Sequence, residues 1–258
     1  MMSRRKGVLQ MRFVGLSDVG RKRAENEDRF SLSEAEGWAV LCDGMGGRAY
    51  GEVASAASVQ RLAELIHECV PRRMERLDRD EQAAAMVNHM DEWVRQVNEH
   101  VYGMGLVDER YREMGTTLVC LLELSHQVVV GHVGDSRAYR LHGGRLEQIT
   151  EDHSVVAGRV KDQQITAAEA KVSKDRNIIT QAIGTALAVR PDVRVHTAMP
   201  GDRFLLCSDG LHDMLSAEEL ERLVLQGGDL TALVRRLVDA ANAAGGRDNI
   251  TVIVGEVA

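Results

Sequence analysis

The sequence predicts an α+β fold in which two antiparallel sheets are flanked by helices. Eight short stretches, rich in β-branched and other apolar residues, have the composition of strands. Most of them lie between two helical blocks, and several follow one another through short turns between Thr116 and Gln148. Short turns favour antiparallel pairing, and helices segregated from strands argue against a regular βαβ alternation. The predicted strands are residues 11–16, 38–42, 116–124, 127–133, 136–141, 192–198, 203–207 and 250–254.

The helical blocks carry apolar residues at intervals of three and four, which is typical of helices that pack against a core. The first block predicts helices over residues 51–70 and 81–101, and their methionines are interpreted as core packing. In the later block, Ser216 opens one helix with a capping box and Asp229 caps the next. The glycine pair Gly245-Gly246 is expected to end that last helix.

The chain is organised as one domain with an inserted flap. No internal repeat or low-complexity linker divides its 258 residues, which can bury a core as one large domain or two small ones. Residues 153–180 turn polar and contain a second capping box, from Thr166 to Glu169. We therefore expect this segment to be a surface flap rather than a separate domain.

The composition excludes several classes of protein. A net charge of -7 and an aromatic content of 3% argue against nucleic-acid binding. No apolar run reaches the length of a membrane span, and the basic first residues are not followed by a signal-peptide core. The four cysteines are widely spaced without a CxxC motif, which predicts buried thiols in a reducing compartment. We therefore expect a cytoplasmic protein.

Aspartates recur at the ends of apolar strands. Asp43, Asp135 and Asp209 each follow such a run and precede a small residue, and Asp248 stands just before the last strand. A single Asp-Gly pair is usually a turn or a helix cap. Four acids at strand ends predict a shared site, because carboxylates at the mouths of neighbouring strands repel one another unless cations neutralise them.

The residue types indicate which cation and which chemistry. Hard oxygen donors without a histidine or cysteine cluster suit Mg²⁺ or Mn²⁺ rather than zinc. Gly44 and the pair Gly46-Gly47, which follow Asp43, permit a backbone carbonyl and the close approach of a ligand. A two-metal site deprotonates a bridging water and stabilises in-line attack on a phosphoryl centre.

A charged loop near the amino terminus can contribute to the same site as these acids. It contains Glu27, Asp28 and an Arg-Lys-Arg run that ends at Arg23. Taken alone, such a run predicts a solvated loop. Next to a metal site, the fixed fork of Arg23 can clamp phosphate oxygens in a bidentate way, which lysine does not reproduce.

Eight blocks of the chain, read in order, match a known family. They are SDVGRKRAENED, CDGMGG, MGTTLV, GHVGDSRAYR, LEQITEDHS, NIITQAIG, CSDGLHDML and GRDNITVIV. The set resembles the metal-dependent protein phosphatases of type 2C, especially the compact bacterial members, over about residues 13–254. The resemblance implies a single phosphatase domain over residues 1–258, folded as a four-layer α/β/β/α sandwich. It also implies a binuclear Mn²⁺ or Mg²⁺ centre between the sheets and hydrolysis of phosphoserine and phosphothreonine in proteins.

The resemblance assigns roles by matching position. It implies that Asp43 bridges two metals, that the Gly44 carbonyl serves one of them, and that Asp209 and Asp248 hold the other. Arg23 would bind the phosphate.

Supporting roles follow from the same resemblance. Glu27 and Asp28 would steady metal-bound waters, and Asn249 would orient its neighbours by hydrogen bonds. Asp135 with Asp209 would match a weaker third-metal site. Three further motif residues are interpreted as structural: Thr116, Thr117 and Arg137.

Two positions depart from the family pattern. Animal members carry a histidine, often assigned as the general acid, two residues after the bridging aspartate, where this chain has Met45. Two proton donors are therefore left open: a water on a third metal held by Asp135 and Asp209, or His153. The flap sequence KVSKDRNIIT lacks the His-Pro pair of many bacterial relatives. What the resemblance implies about substrate binding by the flap therefore applies to this chain less directly than what it implies about the metal centre.

The leading hypothesis is a monomeric cytoplasmic serine/threonine protein phosphatase that acts on phosphorylated proteins and reverses a cognate kinase. A phosphatase-like module that binds phosphoproteins without turnover is the alternative, and the complete set of acids argues against it. A different two-metal phosphoesterase, such as a nuclease, is disfavoured by the net charge.

Overall fold

A computed structural model describes residues 10–45, 50–73, 79–124 and 126–258, except the side chains of residues 70–80. Within this part the chain forms twelve strands and seven α-helices. The strands are β1 (Met11–Asp18), β2 (Arg29–Ser33), β3 (Trp38–Cys42), β4 (Gly44–Met45), β5 (Gly115–Thr116), β6 (Leu118–Leu124), β7 (Gln127–Val133), β8 (Arg137–His142), β9 (Arg145–Gln148), β10 (Asp192–Thr197), β11 (Arg203–Cys207) and β12 (Ile250–Val257). The helices are α1 (Gly51–Arg73), α2 (Arg79–Val107), α3 (Val155–Lys161), α4 (Ala167–Val172), α5 (Asp209–His212), α6 (Ala217–Leu225) and α7 (Leu230–Ala243).

The strands form two five-stranded sheets. The first has the order β10-β7-β6-β3-β2 and the second the order β1-β12-β11-β8-β9, while β4 and β5 form a short ribbon. Every pairing in both sheets is antiparallel. The prediction of two antiparallel sheets is therefore confirmed.

Three apolar clusters join the sheets and helices into four layers. The first packs α1 and α2 on the outer face of the first sheet, around Leu62, Met90 and Leu122. The second packs α5, α6 and α7 on the outer face of the second sheet. The third lies between the two sheets, where Leu41 and Phe204 are almost fully buried. The fold is an α/β/β/α sandwich, as the resemblance implies.

The strands that the sequence does not predict are short or lie at sheet edges. The sheet edges are formed in part by β2 and β9, and every residue of both keeps some exposed surface. A half-exposed edge strand needs no run of apolar residues, so the pattern that identifies central strands is weak there. The two-residue strands β4 and β5 are too short to show any period.

Residues 153–180, which the sequence predicts to be a flap, lie between β9 and β10. They contain α3 and α4, and the capping box of Thr166 with Glu169 is present. The segment is closed at its base by backbone pairing, because Ser154 bridges to Ile179 and the N–H of Thr180 donates to the His153 carbonyl at 2.7 Å. The two ends of the segment therefore lie side by side.

All four cysteines are free thiols. Cys42, Cys120 and Cys207 are buried, as expected, but the prediction is wrong for Cys69, which is half-buried. Cys69 lies near the carboxyl end of α1, where the helix packs less completely against the sheet. Among the described helices, none combines the length and hydropathy needed to cross a membrane.

Candidate metal centre

The sheet topology brings the four aspartates to one edge of the sandwich. Because β3 and β7 both pair antiparallel with β6, their carboxyl ends point the same way and carry Asp43 and Asp135 to the same edge. In the second sheet, the end of β11 lies beside the beginning of β12. Asp209 follows β11 as the first residue of α5, and Asp248 stands two residues before β12.

The carboxylates at this edge influence one another strongly. Burial and repulsion from Asp28, Asp209, Asp135 and Asp248 raise the pKa of Asp43 well above its usual range. Burial and the charges of Asp135 and Asp248 do the same to the pKa of Asp209. Both residues nevertheless keep part of their surface exposed. Groups with this repulsion suit a divalent cation.

Asp28 sits at the centre of a buried hydroxyl network. Its Oδ2 accepts hydrogen bonds from Ser208 Oγ at 2.8 Å and from Thr251 Oγ1 at 2.6 Å. Burial raises the pKa of Asp28 to about 6, while these two hydroxyls act in the opposite direction. In the part of the chain that the structure describes, Asp28 Oδ1 is buried without a hydrogen-bond partner. A buried acceptor left in this state is costly unless water or a cation satisfies it.

Asn249 ties the charged loop to the beginning of the last strand. Its Nδ2 donates to the carbonyls of Val19 at 3.0 Å and Glu25 at 2.9 Å, and its Oδ1 accepts the N–H of Glu27 at 2.9 Å. Asn249 therefore joins the charged loop to the residue that follows Asp248. Gly20, at a φ of 80°, allows the charged loop to lie directly against the Asp248 carbonyl, which a Cβ at this position would overlap.

Two threonines hold the backbone of Asp43. Thr116 Oγ1 donates to the Asp43 carbonyl at 2.8 Å, and the Asp43 N–H donates to Thr117 Oγ1 at 3.0 Å. Thr117 Oγ1 also lies 2.7 Å from Ser136 Oγ, next to Asp135. These hydroxyls connect the turn that carries Asp43 to the turn that carries Asp135. The sequence block MGTTLV marks the pair, but nothing in the sequence alone connects it to Asp43.

Gly44 occupies a position that admits no side chain. A Cβ on Gly44 would lie 2.6 Å from the Glu27 carbonyl oxygen and would overlap the Gly51 carbonyl at the beginning of α1. The Glu27 carbonyl also accepts the hydroxyl of Ser55 at 2.5 Å. The backbone of Gly44 is therefore held against the loop of Glu27 and the first turn of α1. The neighbouring pair Gly46-Gly47 lies outside the described residues.

Arg23 pairs with one of the acids. Its Nη2 lies 2.7 Å from Asp248 Oδ2, and both side chains are well exposed, at 52% and 34%. An exposed pair of this kind contributes only about 0 to 1 kcal/mol to stability, so Arg23 can leave it readily for another anion.

Asp135 is anchored by a histidine that the sequence does not single out. His212 Nε2 lies 3.1 Å from the Asp135 carbonyl, which therefore accepts a hydrogen bond from the ring. The His212 side chain is only 4% exposed and stands on α5, which also carries Asp209. His212 thus connects the turn of Asp135 to the helix of Asp209. The block CSDGLHDML contains it, but only the fold shows its partner.

His153 lies at the base of the flap and bonds to the backbone. The ring Nδ1 accepts a hydrogen bond from the backbone N–H of Gly134 at 3.2 Å, and the backbone N–H of His153 donates to the Gly134 carbonyl at 2.7 Å. Burial lowers the pKa of His153, so the ring is mainly neutral at neutral pH. Met45 is in β4, paired with Gly115.

The donors fit a hard divalent cation. Three observations at this edge support the fit. Asp43 and Asp209 repel each other, and Asp28 Oδ1 has no hydrogen-bond partner. The backbone of Gly44 is in close contact with the Glu27 and Gly51 carbonyls, an arrangement that we call the Gly44 cradle. Among the described residues, however, no three His, Cys, Asp or Glu side chains surround one point as a finished ligand set. Asp248 is paired with Arg23, and Asp28 with Ser208 and Thr251. The ligand assignments therefore stay predictions.

Comparisons with known proteins identify the family. The family model "Protein phosphatase 2C" matches residues 19–253. The serine/threonine protein phosphatase PstP of Mycobacterium tuberculosis is 36% identical over 97% of this chain, which spans only 46% of that relative. The protein phosphatase PhpP of Streptococcus pneumoniae is 36% identical over 92% of this chain and 94% of its own length.

Solved structures agree with these sequence relatives. The crystal structure of the M. tuberculosis serine/threonine phosphatase PstP has a TM-score of 0.84 at 35% identity, and covers 96% of this chain and 99% of that one. The catalytic domain of PstP in complex with two manganese ions has a TM-score of 0.83 at 34% identity, with 96% and 99% coverage. The two-sheet topology and the acids at one sheet edge agree with this likeness. The chain belongs to the protein phosphatase 2C family.

Gly44→Ala tests the cradle. We expect a loss of about 1 to 3 kcal/mol in unfolding free energy, because the added methyl group meets backbone on two sides, together with a smaller rise in melting temperature on addition of Mn²⁺. Gly103→Ala is the matched control, since a Cβ there meets nothing within 4 Å and should stabilise α2 by about 0.5 to 1 kcal/mol. Urea unfolding and thermal melts with and without Mn²⁺ measure both. A Gly44→Ala protein indistinguishable from wild type would contradict the cradle.

Proposed function

We propose that this protein is a serine/threonine protein phosphatase that depends on divalent metal. The observation that carries the proposal is the group of mutually repelling carboxylates at one edge of the sandwich, with an exposed arginine beside them. Family membership and the activities named for PstP and PhpP support the same reaction.

The proposed ligands are Asp43, Asp209 and Asp248 with the carbonyl of Gly44, and Asp135 with Asp209 for a weaker third ion. Two Mn²⁺ or Mg²⁺ ions per chain fit these oxygen donors, and the two manganese ions in the PstP complex support that number. When bound, the cations supply an activated water and neutralise charge on the phosphoryl group.

The chain's own residues position the substrate and the acids. Arg23 binds the phosphate oxygens through its guanidinium fork, after leaving Asp248. Glu27 and Asp28 would accept hydrogen bonds from metal-bound water, and Asn249 keeps their loop in place. Thr116 and Thr117 hold the backbone of Asp43 by hydrogen bonds, which limits reorganisation during reaction.

The proposed substrates are proteins phosphorylated on serine or threonine, and the opposing enzyme is a cognate kinase. We propose that the protein acts as a monomer in the cytoplasm, which the four free thiols support. The net charge of -7 disfavours nucleic acid as substrate. A phosphatase-like binding module without turnover is the second candidate, and a turnover assay with phosphothreonine peptides and Mn²⁺ separates the two.

Conservative changes of the acids test the metal assignment. We expect Asp43→Asn, Asp209→Asn and Asp248→Asn each to lower kcat on a phosphothreonine peptide by at least about a hundredfold. Without metal, the same variants should be at least as stable as wild type, because each removes one repelling charge. Activity that survives exhaustive chelation, or a melting temperature indifferent to Mn²⁺, would rule out the assignment.

Arg23→Ala provides the contrast. We expect mainly a higher KM, with a smaller loss in kcat, because the guanidinium binds phosphate and takes no part in activating water. Steady-state kinetics on the same peptide measure the two constants. A kcat as low as that of Asp209→Asn with an unchanged KM would exclude the phosphate-binding role.

The proton donor is tested by comparing leaving groups. A serine or threonine alkoxide needs a proton as it leaves, whereas a phenolate from an aryl phosphate does not. We expect Asp135→Ala to slow phosphopeptide hydrolysis much more than aryl phosphate hydrolysis. His153→Ala should affect both substrates alike, because its ring is mainly neutral and one nitrogen is committed to Gly134. The reverse pattern would make His153 the acid.

A further inference from the structure

Three exposed cations are chain neighbours of residues at the candidate metal centre. Arg21 and Lys22 directly precede Arg23 in the charged loop, and Arg247 directly precedes Asp248. All three residues are exposed. We call Arg21, Lys22 and Arg247 the basic rim.

The backbone holds the basic rim in a fixed place. The Arg21 N–H donates to the Gly246 carbonyl at 2.7 Å, so the two turns that carry the rim are in direct contact. Asn249 Nδ2 holds the same loop by donating hydrogen bonds to the carbonyls of Val19 and Glu25. The cations are therefore presented from a rigid scaffold, and none of these backbone bonds depends on the rim side chains.

The charge of the rim is not neutralised locally. Among the described residues, no ion pair involves Arg21, Lys22 or Arg247; the ion pair at this corner is that of Arg23 with Asp248. Glu25 is the exposed acid of residues 19–25. A positive surface beside the site is notable on a chain with a net charge of -7, because it is there that an anionic substrate must approach.

We propose that the basic rim binds an anionic group of the substrate next to the phosphorylated residue, and so selects phosphoproteins with acidic flanking sequence. The proposal rests on the proposed function and on Arg23 as the phosphate binder. Arg21 and Lys22 lie within two residues of Arg23, which limits the distance between their Cα atoms to about 7 Å. An extended peptide covers that distance in two residues. The long side chains of Arg21 and Lys22 reach beyond this Cα separation, so the anion is a carboxylate, or a second phosphate, within a few residues of the phosphorylated one.

The test compares phosphothreonine peptides of equal length with aspartate, neutral or lysine flanks, and one neutral peptide with a second phosphate. The enzyme is the whole 258-residue chain loaded with Mn²⁺ at low salt. Because each exposed charge pair is worth only a few-fold, we expect wild-type kcat/KM to be about tenfold higher for the aspartate than for the neutral peptide, mainly through KM. The preference should disappear at about 0.5 M NaCl, because the Debye length there is only a few ångström and exposed charges are screened from each other.

Paired variants locate the preference. Arg21→Glu/Arg247→Glu should reverse the order of the aspartate and lysine peptides, and Arg21→Gln/Arg247→Gln should reduce the aspartate preference to about twofold. Arg12→Glu/Arg145→Glu is the charge-matched control: Arg12 lies at the end of β1 away from Asp18, and Arg145 lies beside the turn that joins β8 to β9. This control should keep the wild-type ratio.

The outcomes separate the rim from the activity. Equal kcat/KM for all peptides in wild type, or an unchanged ratio in both rim variants, overturns the proposal while the phosphatase activity stands. No hydrolysis of any peptide by the Mn²⁺-loaded protein would instead remove the proposed function. A rim-dependent preference for the doubly phosphorylated peptide alone supports the rim and identifies phosphate as its anion.

Discussion

Repulsion between carboxylates at one sheet edge is the constraint on which the rest of the site depends. Two antiparallel sheets bring strand ends with Asp43, Asp135, Asp209 and Asp248 to the same place, and burial among other acids raises the pKa of Asp43 and Asp209. Such an edge is unfavourable for a protein without a cation. The fold can maintain it because three apolar clusters hold the strands beneath it.

The surrounding polar groups limit how the acids can move. Most of these groups are hydroxyls. Those of Thr116 and Thr117 bind the backbone of Asp43. Those of Ser208 and Thr251 bind the side chain of Asp28. Hydroxyl groups add no charge, so they orient the carboxylates without competing with a cation. Arg23 is the exception, since it pairs with Asp248 at the surface, where the interaction is weak.

The sequence predicts the elements of this protein better than their connections. Central strands such as β3, β7 and β11 were predicted with their observed ends, because buried strands are continuous apolar runs. The sequence does not predict the edge strand β9, since three of its four residues are polar and exposed. The acids were visible at strand ends, but the partners of Asp43 and Asp135 were not. Thr117 and His212 reach them across 74 and 77 residues of chain, a distance that no local pattern reports.

Proton release on metal binding tests the central claim most directly. If repulsion raises the pKa of the edge carboxylates, some of them carry protons at pH 6 and must lose them when Mn²⁺ binds. Calorimetric titration with Mn²⁺ in buffers of different ionisation enthalpy counts those protons. We expect at least about one proton released per chain at pH 6, fewer as the pH rises, and fewer at pH 6 in Asp43→Asn. Mn²⁺ binding without proton release at pH 6 would contradict the account.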